Sequence, residues 1–133
     1  MAVTITPSLR TALHLDAAAS GAMALLAIGA APILSPLLGL PQPLLFWAGI
    51  ALLPWVALLL GVARRNTAPR LLLVDILGLN ALWVAASIGL LASGLVAPTL
   101  LGYAFIVAQA LAVAAFAVLQ GLALRRSPAT ATA

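Results

Sequence analysis

The sequence predicts an all-α membrane protein, a four-transmembrane-helix bundle running up-down-up-down, and three observations carry that prediction. Of its 133 residues, 65% are hydrophobic and 6% charged, more apolar side chain than a soluble fold of this size can hide. Four stretches, about 11–34, 43–63, 70–93 and 98–124, stay mainly apolar over the roughly 20 residues a helix needs to cross a hydrocarbon core about 30 Å thick. All six basic residues are arginines, and they sit only at segment ends: Arg10 before the first, Arg64, Arg65 and Arg70 between the second and third, Arg125 and Arg126 after the fourth.

That arginine distribution sets the expected orientation. The first and third loops carry no charge, so the positive-inside rule puts both termini in the cytoplasm, and the expected location is a bacterial inner membrane. The net charge of +4 does not imply a nucleic-acid partner, because no basic stripe interleaved with aromatics exists to follow a phosphate backbone. The chain has no cysteine, which excludes disulfides, thiolate chemistry and Cys-based metal sites. The resulting plan is a cytoplasmic leader over 1–10, the bundle over 11–126 and a disordered cytoplasmic tail over 127–133.

Each segment carries its own signals. In the first, Ala17 and Gly21, and Ser20 and Ala24, form small-xxx-small pairs that let helix backbones approach closely where lipid removes any hydrophobic driving force. This face predicts tight packing inside the bundle, or else a homo-oligomer interface. Pro32 and Pro36 are expected to end the helix, since each lacks an N–H and clashes with the turn before it. Pro43 suits the first turn of the second segment. Pro54 near its centre predicts a bend rather than a stop, because neighbouring helices re-satisfy the freed carbonyl. Pro69 and Pro98 mark the starts of the third and fourth segments. In the fourth, Gln109 and Gln120 lie eleven residues apart, about 20° around a helix, and a face bearing two amides is expected to look into the bundle.

The third segment, Arg70 to Gly94, is the one that lipid tolerates least. Asp75, Asn80, Trp83, Ser87 and Gly94 fall within an arc of about 140° on a helical wheel. Twelve Leu, Ile or Val residues between Leu71 and Leu91 favour insertion by about 4–7 kcal/mol, against about 2.5–3.5 kcal/mol for one central Asp. The helix therefore inserts with its polar side turned inward. Asp16 lies six residues past Arg10 and Asp75 five past Arg70, each about 8–9 Å inside its arginine, and Gln120 lies at a similar depth. Asp16, Asp75, Asn80, Gln109 and Gln120 are thus the candidate polar, ion or proton site, with Arg10, Arg64, Arg65 and Arg70 as candidate ion-pair partners. Two readings stand for the acids: pairing with arginines at the interface, or a carboxylate pair lining a cytoplasm-facing pocket.

The two halves share a pattern: Arg10, Asp16, a GLP turn and Arg64–Arg65, then Arg70, Asp75, a GLVAP turn and Arg125–Arg126. Either they are two pseudo-symmetric helical hairpins related by an axis along the membrane normal, or two unrelated hairpins that obey the same charge rule. The four-helix layout with an acid in the first helix resembles the small multidrug-resistance transporters in architecture. The resemblance stops there: those proteins are shorter and use a glutamate, many of them insert in both orientations, and here all six arginines fall on one side. No residue role is carried over.

No catalytic constellation is present, since Ser20, Ser87 and Ser93 have no base at matching depth and no phosphate-binding loop appears; the chain is not expected to be an enzyme. No cofactor or metal is predicted, and the lone His14 is no basis for haem. Three functions follow: an accessory, assembly or interaction subunit that packs through the face of Ala17, Ser20, Gly21 and Ala24, alone as a homo-oligomer or in a larger membrane-protein complex; an oligomeric small transporter or channel using Asp16, Asp75 and Asn80; and a binder of lipid or another apolar ligand.

Overall fold

The computed structural model describes residues 1–130. A short strand β1 (Ala2–Thr4) precedes helices α1 (Pro7–Gly29), α2 (Ala31–Leu38) and α3 (Gln42–Ala63); strand β2 (Thr67–Pro69) then leads into α4 (Arg70–Ser93) and α5 (Leu100–Arg126). α1, α3, α4 and α5 are each long and apolar enough to cross a membrane, so the chain is a small helical membrane protein. Sequence chemistry sets the ends of these helices. Thr6 and Thr99 are N-caps whose hydroxyls accept from the Leu9 and Gly102 N–H groups at 3.3 and 3.1 Å, satisfying first-turn donors that have no partner within the helix. Gly39 and Gly94 close α2 and α4 in the left-handed conformation, at φ 67° and 76°, where a Cβ is costly. α3 runs unbroken through Pro54.

α1 packs most extensively on α3, α4 on α5, and α1 also meets α5. The face bearing Ala17, Gly21 and Ala24 turns to α3 of the same chain: Ala17 and Ala24 are buried and the Gly21 position lies against Val56. Across from it, a Cβ at Gly49 would meet Ile28 Cγ1 at 2.8 Å, Ala27 Cβ at 3.0 Å and the Ala24 carbonyl at 3.1 Å. Only glycine allows that approach.

The bundle has two distinct ends. At one, the connections after α1 and after α4 meet: the Thr99 N–H donates to Leu38 O at 3.0 Å and the Thr99 hydroxyl to Leu37 O at 2.7 Å, while Gly102 lies directly against the Leu38 carbonyl. At the other, β1 pairs antiparallel with β2 and the tail joins them, with Thr4 N–H donating to Pro128 O at 3.0 Å and Thr130 N–H to Ala2 O at 2.9 Å. All six arginines lie at this second end. Arg10 donates to Ala63 O (2.8 Å) and Arg65 O (3.0 Å), a cation on the carbonyl end of α3.

Two expectations are revised and one gains detail. The first helix ends at Gly29, before the prolines, because Pro32 sits in the first turn of α2, where a missing N–H costs nothing. Within the expected leader over 1–10, residues 1–5 are structured, burying Ala2, Val3 and Ile5 and pairing their backbone across the sequence. The tail is ordered over 127–130, where Ser127 is buried and its hydroxyl donates to Ala123 O; residues 131–133, the rest of the expected disordered tail, lie outside the described residues. As for two related hairpins, the left-handed Gly39 and Gly94 match, but α2 belongs to the first half only and Asp16 and Asp75 occupy unlike surroundings.

The α1–α3 contact generates a stability test. Gly49→Ala is expected to lower the unfolding free energy in detergent by about 1–3 kcal/mol through overpacking. Gly61→Ala and Gly78→Ala, where a new Cβ meets nothing within 4 Å, should leave it unchanged or raise it by up to about 1 kcal/mol.

Candidate functional site

Three elements bring their most polar interior residues to one point. Asp16 of α1, Asn80 of α4 and Gln120 of α5 are 0%, 3% and 2% exposed. Asn80 Nδ2 donates to Asp16 Oδ2 at 2.9 Å and to Gln120 Oε1 at 3.0 Å; Gln120 Nε2 donates to Asp16 Oδ2 at 2.8 Å. Ser20, one turn along α1 from Asp16, donates its hydroxyl to Oδ1 at 3.0 Å. As a carboxylate Asp16 only accepts, so both amide NH₂ groups must face it, and that requirement fixes which way Asn80 and Gln120 are turned. Charge-assisted hydrogen bonds are the stronger kind. Here they hold an acid inside the bundle with no arginine attached.

The sequence-predicted residues therefore separate. Asp75 is exposed on α4, five positions and about 140° from Asn80, and among the described residues it has no polar partner. A carboxylate pair does not form. Arg64, Arg65 and Arg70 are exposed and Arg10 is engaged on α3, so among the described residues none of the four candidate partners reaches Asp16. His14 is exposed on α1, and among the described residues no three His, Cys, Asp or Glu side chains gather as a metal site.

Gln109 belongs to a second polar set, further toward the end where α2 meets α5. The Trp83 indole N–H donates to Gln109 Oε1 at 2.7 Å, Gln109 Nε2 donates to Ser87 Oγ at 2.9 Å and to Ile106 O at 3.0 Å, and the Ser87 hydroxyl donates to Trp83 O at 2.8 Å. Every polar atom of the Gln109 side chain is engaged. The sequence reading missed the roles of Ser20, Trp83 and Ser87 as hydrogen-bond partners; the spacing of four between Asp16 and Ser20, and between Trp83 and Ser87, was the signal available.

Between these two polar sets lies open space. Among the described residues α3 and α4 do not pack extensively on each other, and three chambers of about 340, 320 and 340 Å³ meet at Leu52 and Trp83. Their walls are overwhelmingly apolar: Leu45, Leu52, Leu90, Phe105 and Ile106 line the first, and Ser20 and Asn80 lie at the floor of the third. Beneath that floor the packing closes. Leu9, Leu13, Leu73, Ile76, Gln120 and Leu124 leave no room for a water molecule. The candidate site is thus an apolar space at the centre of the bundle with a polar floor, its first and third chambers between α3 and α4 and its second between α1 and α5.

No family model matches the chain, and no curated protein or solved structure is similar to it.

The energetics of the floor are testable. Asn80→Leu leaves the Asp16 carboxylate short of a donor and is expected to cost about 1.5–3 kcal/mol in thermal unfolding in detergent. Replacing Asp16, Asn80 and Gln120 together by leucine should cost less than that single change, because no charge is then left unpaired. Asp75→Asn should fall within about 0.5 kcal/mol of wild type.

Proposed function

We propose that this is a non-catalytic membrane protein that takes one apolar molecule from the bilayer into the cleft between α3 and α4. The observation that carries this reading is the cleft itself. Chambers near 340 Å³ fall within the range of ligand pockets, about 300–1,000 Å³, and like them combine apolar walls with a few fixed polar groups. Apolar walls facing an unfilled space of that size lose the dispersion contacts they would otherwise make. Apolar cavities exclude water, so hydrocarbon is the occupant that fits.

The geometry lends less to the other two functions. An interaction subunit was expected to dock through Ala17, Ser20, Gly21 and Ala24, yet that face is spent on α3 and on Asp16 of the same chain. A transporter or channel was expected to use Asp16 with Asp75, yet the two acids stand apart and the packing below Asn80 is closed. The arginines at the end bearing the termini support a cytoplasmic orientation for that end in an inner membrane, which turns the wider part of the cleft toward the outer leaflet.

Native mass spectrometry and solvent extraction of protein purified in a mild detergent test this reading. About one apolar molecule per chain should be retained by wild type and lost from Ala86→Trp, a residue that lines two of the chambers. Equal retention by both proteins, or none by wild type when bilayer lipid is present throughout, would overturn it.

A further inference from the structure

Resting on that reading, we infer that the cleft selects an apolar molecule bearing a hydroxyl group, whose O–H is received by the Asn80 side-chain carbonyl oxygen. The inference follows from counting donors and acceptors. Asn80 has two N–H donors, spent on Asp16 Oδ2 and Gln120 Oε1. Its orientation is dictated by the carboxylate, which leaves Oδ1 facing away from both partners. Asn80 is 97% buried, from its exposure of 3%, yet no buried side-chain oxygen or nitrogen of the described residues lacks a partner. Oδ1, which takes part in no hydrogen bond there, must therefore keep access to open space. The space that Asn80 lines is the third chamber.

The other polar groups on the cleft wall sharpen the choice. Gln109, Trp83 and Ser87 satisfy one another, so they leave an incoming group little to bond. Ser20 has its hydroxyl hydrogen committed to Asp16 Oδ1 and retains only acceptor capacity. The floor thus offers acceptors, from Asn80 and Ser20, and so favours a group that can donate. Trp55 lines the same chamber from α3, and its indole N–H has no partner among the described residues. A hydroxyl both donates and accepts, and so matches a chamber lined by the Asn80 oxygen and an indole N–H. From Asn80 to Leu90 the cleft follows α4 for ten residues, about 15 Å of helix, along which the apolar body of the molecule would lie.

The test compares two probes of one apolar body: a long-chain primary alcohol brominated near its far end and the methyl ether of that alcohol. Binding is read from tryptophan quenching in nanodiscs of saturated phosphatidylcholine, in a Trp47→Phe protein that removes the exposed tryptophan outside the chambers and keeps Trp55 and Trp83. One hydrogen bond to a buried acceptor gives the alcohol about a fivefold to tenfold tighter binding than the ether. Asn80→Leu should abolish that preference by weakening the alcohol while the ether still binds. If this variant does not fold, the wild-type alcohol-to-ether ratio decides alone. Equal binding of both probes overturns the hydroxyl inference and leaves the apolar cleft standing; saturable quenching by neither overturns the proposed function as well.

Discussion

The whole arrangement depends on one buried acid, Asp16, and on the donors that surround it. A carboxylate removed from water is costly unless paired or hydrogen-bonded, and here Ser20, Asn80 and Gln120 supply three hydrogen bonds from three helices. α1 is otherwise committed to α3 through its small residues. The cluster is therefore the main polar tie between the α1–α3 pair and the α4–α5 pair. Van der Waals packing holds each pair together, which is the normal means in lipid. The join between the pairs is polar, and polarity gives it register: an amide one turn away on α4 or α5 would miss the carboxylate.

The cleft is a consequence of how the four helices are fastened. At one end β1, β2 and residues 127–130 hydrogen-bond to one another; at the other, Thr99 and Gly102 grip the last turn of α2. Mid-bundle, α1 touches α3 and α5, and α4 touches α5. Among the described residues no comparably extensive contact links α3 to α4, where Leu52 and Trp83 face open space. The helices are thus fastened to one another at both ends, while α3 and α4 part at mid-bundle.

Much of this was legible in the residues, and the reasons differ by element. The four spans follow from apolar length alone, so their ends fell within a few residues for α3, α4 and α5. Wheel geometry put Asn80, Trp83 and Ser87 on one side of α4, and the structure brings that side to Asp16, Gln109 and Gln120. Asp75 sat at the margin of the same arc, and a wheel does not say where the margin falls; in the structure it lies on the exposed surface of α4 near the arginine-bearing end. The pairing of β1 with β2 could not be read, since three residues paired by backbone across more than sixty positions leave no periodic trace. The cleft was equally hidden. It is an absence of contact between two apolar faces that, in sequence, look like any other lipid-length helix.

The contrast between the two sides of the polar cluster argues for its role. Toward the termini, Leu9, Leu13, Ile76 and Leu124 close on one another without a void. Toward the opposite end, the same helices part into chambers of several hundred Å³. If the cluster served only to register the helices, packing on both sides of it should be alike, because ridges and grooves mesh as readily above as below. The change from sealed to open occurs at Asn80, whose amide nitrogen donates to Asp16 and which lines the third chamber. One residue thus belongs both to the tie that fixes the bundle and to the floor of the space the bundle encloses. That double membership makes Asn80, rather than either acid, the residue at which the structure and the proposed ligand recognition meet.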